Sequence, residues 1–253
     1  MYAASARRGW TFTGLLTAAV VASIWVTGFN PSTWDLASAR TFVLEMFPPD
    51  WSVLPGVLAK MAETVGIALL GTVLAFLFAF PFSLLAARGL APGWIGAPVR
   101  ALMAVMRAIP EILWALLFLV ATDLGNISGI LALTAHNLGI LAKLMAEVYE
   151  AAPAGPQESV AATGAGRLAT IWHGVLPWSA PHVLSHSFFR FECNIRTATV
   201  LGLVGAGGIG QLLMIHRALL QYDKMLVDTL GILALVLAAD ALGALLRRQV
   251  TTA

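Results

Sequence analysis

Five long stretches of this chain contain no Asp, Glu, Lys or Arg: residues 9–34, 64–87, 124–142, 168–189 and 197–216. A helix of about 20 apolar residues crosses the hydrocarbon core of a bilayer. Backbone amides in that core have no water to bond, so a spanning segment closes its hydrogen bonds within a helix or a closed barrel. The alternating apolar and polar pattern of a barrel strand is absent. The chain therefore reads as an all-α polytopic membrane protein. About six spans are expected, at 10–29, 62–87, 97–122, 127–150, 178–204 and 225–246. The third contains Arg107, Pro110 and Glu111, and the sixth contains Asp240. Composition agrees: 59% of the 253 residues are hydrophobic and 11% are charged. A soluble domain carries about 25% charged residues. A soluble enzyme, a nucleic-acid binder and a disordered tail are thereby excluded. One cysteine, Cys193, excludes an intramolecular disulfide and a Cys-rich metal centre.

The cationic residues orient the chain, because Lys and Arg concentrate on the cytoplasmic side. With the N-terminus inside, Arg7, Arg8, Arg88, Arg100, Arg167, Arg247 and Arg248 lie on cytoplasmic segments or span ends. Arg40, Lys60, Arg217 and Lys224 lie outside. The first apolar run follows Arg7-Arg8 but is long and lacks an A-x-A site, so it reads as an anchor rather than a cleaved signal. Two parts are expected. Residues 1–61 form an N-terminal helix and an external, Trp- and Pro-containing segment, and residues 62–253 form the core.

Residues 151–177 are the one long polar interruption on the inner side. Gly155-Pro156 suits a helix start, with Glu158 in the first turn. Thr163-Gly164-Ala165-Gly166 suits a sharp turn, and Arg167 to Val175 a second short helix ended by Pro177. The segment reads either as an ordinary loop or as a compact knob that enters a partner's groove.

The pattern of Glu158, Gly164 and Leu176-Pro177 resembles the EAA motif of importer-type ABC permeases. Ser159-Val160 replace its two alanines, and Gly174 stands at its usual isoleucine. The segments from Arg107 to Leu116 and from Phe189 to Gly210 are similar to the phosphonate/phosphite branch of that family. The resemblance implies a type I importer permease fold in the bacterial inner membrane. It implies that the knob docks on a cytoplasmic ATPase through Glu158, Ala162, Gly164, Leu176 and Pro177. It further implies a second permease copy, two ATP-binding subunits and an external phosphonate-type binding protein. ATP and Mg would then sit on the partner ATPase, with no cofactor on this chain. Indeed no G-x-x-x-x-G-K-[ST] phosphate loop occurs. An ABC permease for another solute, such as methionine or a quaternary amine, is the nearest alternative. A polytopic hydrolase is a remote one, with adjacent Ser185-His186 as its best pair.

Charges inside the spans are expensive, about 3 kcal/mol each on insertion scales. Arg107 and Glu111, Lys143 and Glu147, and Glu192 and Arg196 are each four apart, a spacing that puts both members on one helix face. Arg190 and Asp240 have no local partner and are expected to find one across helices. Two readings stand open: interhelical glue, or an anion pathway lined by Arg107, Glu111, Arg190, Glu192, Asn194, Arg196 and Thr197. In the second reading, removing charge at Arg190 or Arg196 abolishes transport. Gly205, Gly207, Gly208 and Gly210 match G-x-G-x-x-G but follow an apolar helix, so they read as an outer gate rather than a dinucleotide site. His182 and His186 lack the glutamate that an H-E-x-x-H metal site needs, and no metal is expected.

Overall fold

The computed structural model describes the backbone of residues 2–28, 30 and 35–252, and side chains from 12 to 246 within that range. The chain divides into two compact units, Met1–Phe47 and Pro48–Ala253. The first holds α1 (Tyr2–Thr27) and α2 (Leu36–Glu45). Asp35 caps α2 by accepting from the amides of Ala37 and Ser38, and these bonds, with that from the Ser38 hydroxyl, hold its carboxyl below the usual range.

The second unit holds α3 (Leu54–Ala86), α4 (Gly93–Ala108), α5 (Glu111–Thr122), α6 (Asn126–Glu150), α7 (Ala154–Ala162), α8 (Arg167–Thr170), α9 (Leu176–Gly202), α10 (Gly208–Ala218) and α11 (Tyr222–Thr252). α3 begins before the expected residue 62, so Lys60 and Glu63 are helical and joined at 2.7 Å.

α3 and α6 form the centre and pack over small residues. A Cβ on Gly71 of α3 would meet Leu133 Cβ of α6 at 2.7 Å. Without a strong hydrophobic force between helices in lipid, close approach over Gly and Ala supplies the dispersion contacts. Two apolar clusters result. One gathers Ile67, Ala68, Leu133, Ile195, Leu201 and Ile209. The other gathers Ala75, Ala79, Leu141, Met145, Tyr149 and Val175. On the surface, Leu230, Leu233, Leu237, Leu242 and Leu245 of α11 are exposed, as a helix facing lipid or another chain requires.

Among the described residues three helices are long and apolar enough to cross a membrane, at Trp51–Ala86, Asn126–Glu150 and Tyr222–Leu246. The expected single span at 97–122 is instead a broken pair, α4 and α5, bent by 88°. Pro110 lacks an amide proton and pushes Ile109 to extended backbone, so the helix stops and restarts there. Counted as one span, this pair makes a fourth. The other two expected spans are helices of different character. Phe12–Thr27 of α1 is apolar but shorter. α9 has 27 residues but carries Arg190, Glu192 and Arg196, which leave it more polar than an ordinary span.

Candidate functional site

The break between α4 and α5 frees carbonyls that a continuous helix would use. The oxygen of Met106, four residues before Pro110, accepts from Trp114 Nε1 at 3.2 Å. The oxygen of Ile109 meets His136 Nδ1 of α6 at 3.0 Å. Both side chains restore bonds that the proline removes. The other ring nitrogen of His136 lies 3.5 Å from Glu111 Oε2. The expected Arg107–Glu111 pair is therefore not the one formed. The break rotates the two residues onto different helices, and Arg107 stays exposed in the last turn of α4.

Between the two apolar clusters lies a polar layer. Thr72 of α3, Asn137 of α6 and Asn194 of α9 are all buried. Thr72 Oγ1 donates to the oxygen of Ala68 at 2.6 Å. Asn194 Nδ2 donates to Thr72 Oγ1 at 2.8 Å. Asn137 Nδ2 donates to the oxygen of Leu133 at 2.7 Å and to Asn194 Oδ1 at 2.9 Å. Arg190 closes the chain, its Nε and Nη2 both donating to Asn137 Oδ1, the former at 2.8 Å. Arg190 thus finds its cross-helix partner, as its lack of a local one implied, but that partner is a neutral amide. Among the described residues no carboxylate oxygen lies within ion-pair distance of it. Glu111 is within electrostatic reach of it.

The remaining charges divide. Lys143 and Glu147 pair along α6 at 3.2 Å, as their spacing predicts. Arg196 Nη2 reaches Asp240 of α11 at 2.9 Å, which gives Asp240 its partner across helices. Glu192 and Thr197 are half-buried on α9. The structure therefore brings Arg190 and Asn194 into one layer, while Arg196 is engaged with α11. Sequence reasoning missed Thr72, His136 and Asn137. Their signal was a polar residue inside an apolar run, which a search for charges passes over.

The glycine segment turns the end of α9 into α10. Gly205, Gly207 and Gly208 have φ of 97°, 86° and 72°, backbone that favours glycine. The amide of Gly208 donates to Glu63 Oε1 at 2.8 Å and that of Ile209 to Thr64 Oγ1 at 2.9 Å, so α3 caps α10. His216 Nδ1 and Asp228 Oδ2, 2.6 Å apart, tie α10 to α11. His182 stacks on Trp178 with centroids 4.9 Å apart. No group of three or more His, Cys, Asp or Glu among the described residues is placed to hold a metal.

In the knob, α7 starts at Ala154 after Pro153, so Glu158 lies beyond the first turn rather than in it. Gly164 makes the turn with φ 79°. The second short helix does not stop at Pro177. α8 runs through a π-helical turn, Ile171–Val175, directly into α9, where Pro177 occupies the first turn and so needs no amide proton. Gly174 faces the backbone of Gln157 and Pro156, where an added Cβ would sit 3.1 Å from Gln157 Cα. A bulky residue there would lift α7 away. Glu158, Ala162, Gly164 and Pro177 are exposed, while Leu176 packs into the second apolar cluster.

A family model for the binding-protein-dependent transport system inner membrane component matches residues 79–252. The chain is 33% identical to a phosphite transport system permease protein of Stutzerimonas stutzeri, over 91% of this chain and 85% of that one. It is 35% identical to a phosphate-import permease protein of Mycolicibacterium smegmatis, over 93% of this chain but 45% of that longer protein. Its fold matches a chain of the inward-facing MetNI methionine ABC transporter with a TM-score of 0.64 at 22% identity, covering 77% of this chain and 95% of that one. The chain belongs to the family of binding-protein-dependent transport system inner membrane components: it is the multi-pass permease of an ABC importer, a transport subunit that works with a binding protein and an ATPase.

Proposed function

We propose that this permease carries phosphorus oxyanions, of the phosphite, phosphonate and phosphate class, into the cell. The observation that carries the reading is Arg190, an intramembrane guanidinium held by a neutral amide and left with its charge unbalanced at contact distance. A planar guanidinium matches the oxygens of such anions bidentately. Likeness to a phosphite and a phosphate-import permease supports the same substrate class. Arg107, Glu111, Glu192, Asn194 and Thr197 line the same pathway in this reading, and Arg196, already held by Asp240, contributes to it only weakly.

Two copies form the pore about a two-fold axis, with the N-termini in the cytoplasm. Each copy offers one knob to one of two ATP-binding subunits, which hold ATP and Mg. ATP-driven closure of those subunits moves α7, and α9 moves with it because α7 packs through Gln157 on Gly174 of the π turn, which with α8 runs into α9 without a loop. The pathway then opens outward to a loaded binding protein, with Gly205 to Gly210 at its outer mouth, and hydrolysis resets it.

Uptake by cells carrying this permease, its ATPase and its binding protein tests the substrate class. Labelled phosphite, phosphonate or phosphate should accumulate, and methionine should not; accumulation of methionine alone overturns the reading. Docking is tested separately. Glu158→Lys reverses charge at an exposed position with no fold role. It should lower binding-protein-stimulated ATPase activity about tenfold while the permease level in the membrane is unchanged. Unchanged stimulation would place the docking surface elsewhere.

A further inference from the structure

The hydrogen-bond chain that ends on Arg190 has a direction, and the direction has a cause. The Thr72 hydroxyl proton is committed to the oxygen of Ala68. Its oxygen can then only accept, which turns the Asn194 amide so that Nδ2 faces Thr72 and Oδ1 faces Asn137. Both Nδ2 protons of Asn137 are spent, on the oxygen of Leu133 and on Asn194 Oδ1. Asn137 Oδ1 therefore faces Arg190 and binds its Nε and one Nη2 proton. A guanidinium has five N–H donors in one plane. Among the described residues the two Nη1 protons and the other Nη2 proton have no acceptor. Two of those three, one on Nη1 and one on Nη2, form the Nη edge, the edge that grips two oxygens of an oxyanion.

We infer that Asn137 is a positioning residue for substrate passage: it holds Arg190 with its Nη edge free for a phosphorus oxyanion, and Thr72, through Asn194, decides which way the Asn137 amide points. The inference rests on the proposed oxyanion pathway and adds residues to it. A carboxylate at position 137 would hold the same guanidinium but neutralise it. An amide holds it and leaves the charge for a passing anion. Because the grip belongs to a neutral group, substrate binds without having to displace a competing protein anion, as a pathway that must also release its cargo requires.

The test uses the complete transporter in proteoliposomes, with its ATPase and loaded binding protein, and reads labelled phosphite or phosphate delivered per ATP hydrolysed. Asn137→Leu should cut that ratio about tenfold, the order expected when a hydrogen bond to a charged group is lost. Thr72→Val keeps the shape but removes the hydroxyl, and should lower the ratio about threefold, as the loss of one neutral hydrogen bond does, with Thr72→Ser restoring it. A purely structural role would lower transport and ATPase activity together, leaving the ratio fixed. If Asn137→Leu fails to assemble, the Thr72 pair carries the test alone. An unchanged ratio in Thr72→Val, with a lowered ratio in Arg190→Gln, overturns the positioning role and keeps the pathway. An unchanged ratio in Arg190→Gln overturns the pathway reading itself.

Discussion

Replacing Arg190 with glutamine is expected to reduce oxyanion uptake about a hundredfold, the loss of two charge-assisted hydrogen bonds to substrate at about 1.4 kcal/mol per factor of ten. The permease should still reach the membrane and assemble. Among the described residues Arg190 hydrogen-bonds to Asn137 Oδ1 alone, and a glutamine amide can still donate to that oxygen. Binding-protein-stimulated ATPase activity should remain, because the knob at 151–177 is untouched. Lysine at 190 keeps the charge but loses the planar fork, and should give intermediate uptake. Arg196 is the informative comparison. Its side chain is 53% exposed and already paired with Asp240. Exposed pairs are worth about 1 kcal/mol or less, so Arg196→Gln should cost only about threefold in uptake. Equal losses at 190 and 196 would mean that the two arginines share one role, as their placement on α9 alone suggests. Radiolabelled phosphite uptake, normalised to permease in the membrane, measures all three.

Gly210→Ala is expected to prevent recovery of folded permease. A Cβ there would overlap the carbonyl oxygen of Thr199 and lie 3.1 Å from Gly202 Cα. Both are backbone of α9, so neither yields as a flexible side chain would. Gly202 is held from the other side, since its own Cβ would sit 2.5 Å from the oxygen of Gly207. Overpacking costs about 1–3 kcal/mol where side chains can shift, and backbone contact puts this variant at the upper end. Gly66 of α3 is the control: nothing lies within 4 Å of its Cβ position, and alanine is a better helix former by about 1 kcal/mol. Gly66→Ala should therefore extract and melt like the parent, while Gly210→Ala aggregates on size-exclusion chromatography. If Gly210→Ala is stable but does not transport, the glycine segment acts as a moving gate rather than as a rigid joint.

The break in the third expected span shows how much of the site was legible beforehand. Pro110 stood in plain view, and its effect on Ile109 is local chemistry. What the sequence hid was the repair. Trp114 is close in the chain to the carbonyl it satisfies, but His136 comes from another helix, and its other nitrogen takes Glu111 from the partner that spacing had assigned to it. The i, i+4 rule holds for Lys143 and Glu147 and fails for Arg107 and Glu111, where the helix is broken; on the continuous α9 it is overridden, since Arg196 pairs with Asp240 of α11 rather than with Glu192.

The knob was legible for the same local reasons, through Pro156, Gly164 and the proline of α9, although α7 starts two residues earlier, after Pro153. Its continuity with α9 was not. A proline reads equally as a stop or as a first-turn residue, and only the π turn before it decides.

By itself the sequence determined that this protein belongs in a membrane, and its family. Long charge-free runs and punctuating Gly and Pro act within one segment, so they need no neighbour to be read. Only the tertiary structure decided which polar groups meet. Asn194 and Thr72 are 122 positions apart, Arg190 and Asn137 are 53 apart, and Arg196 and Asp240 are 44 apart. In a low-dielectric interior each such group must find a partner, but helix packing over small residues, not spacing along the chain, chooses which one.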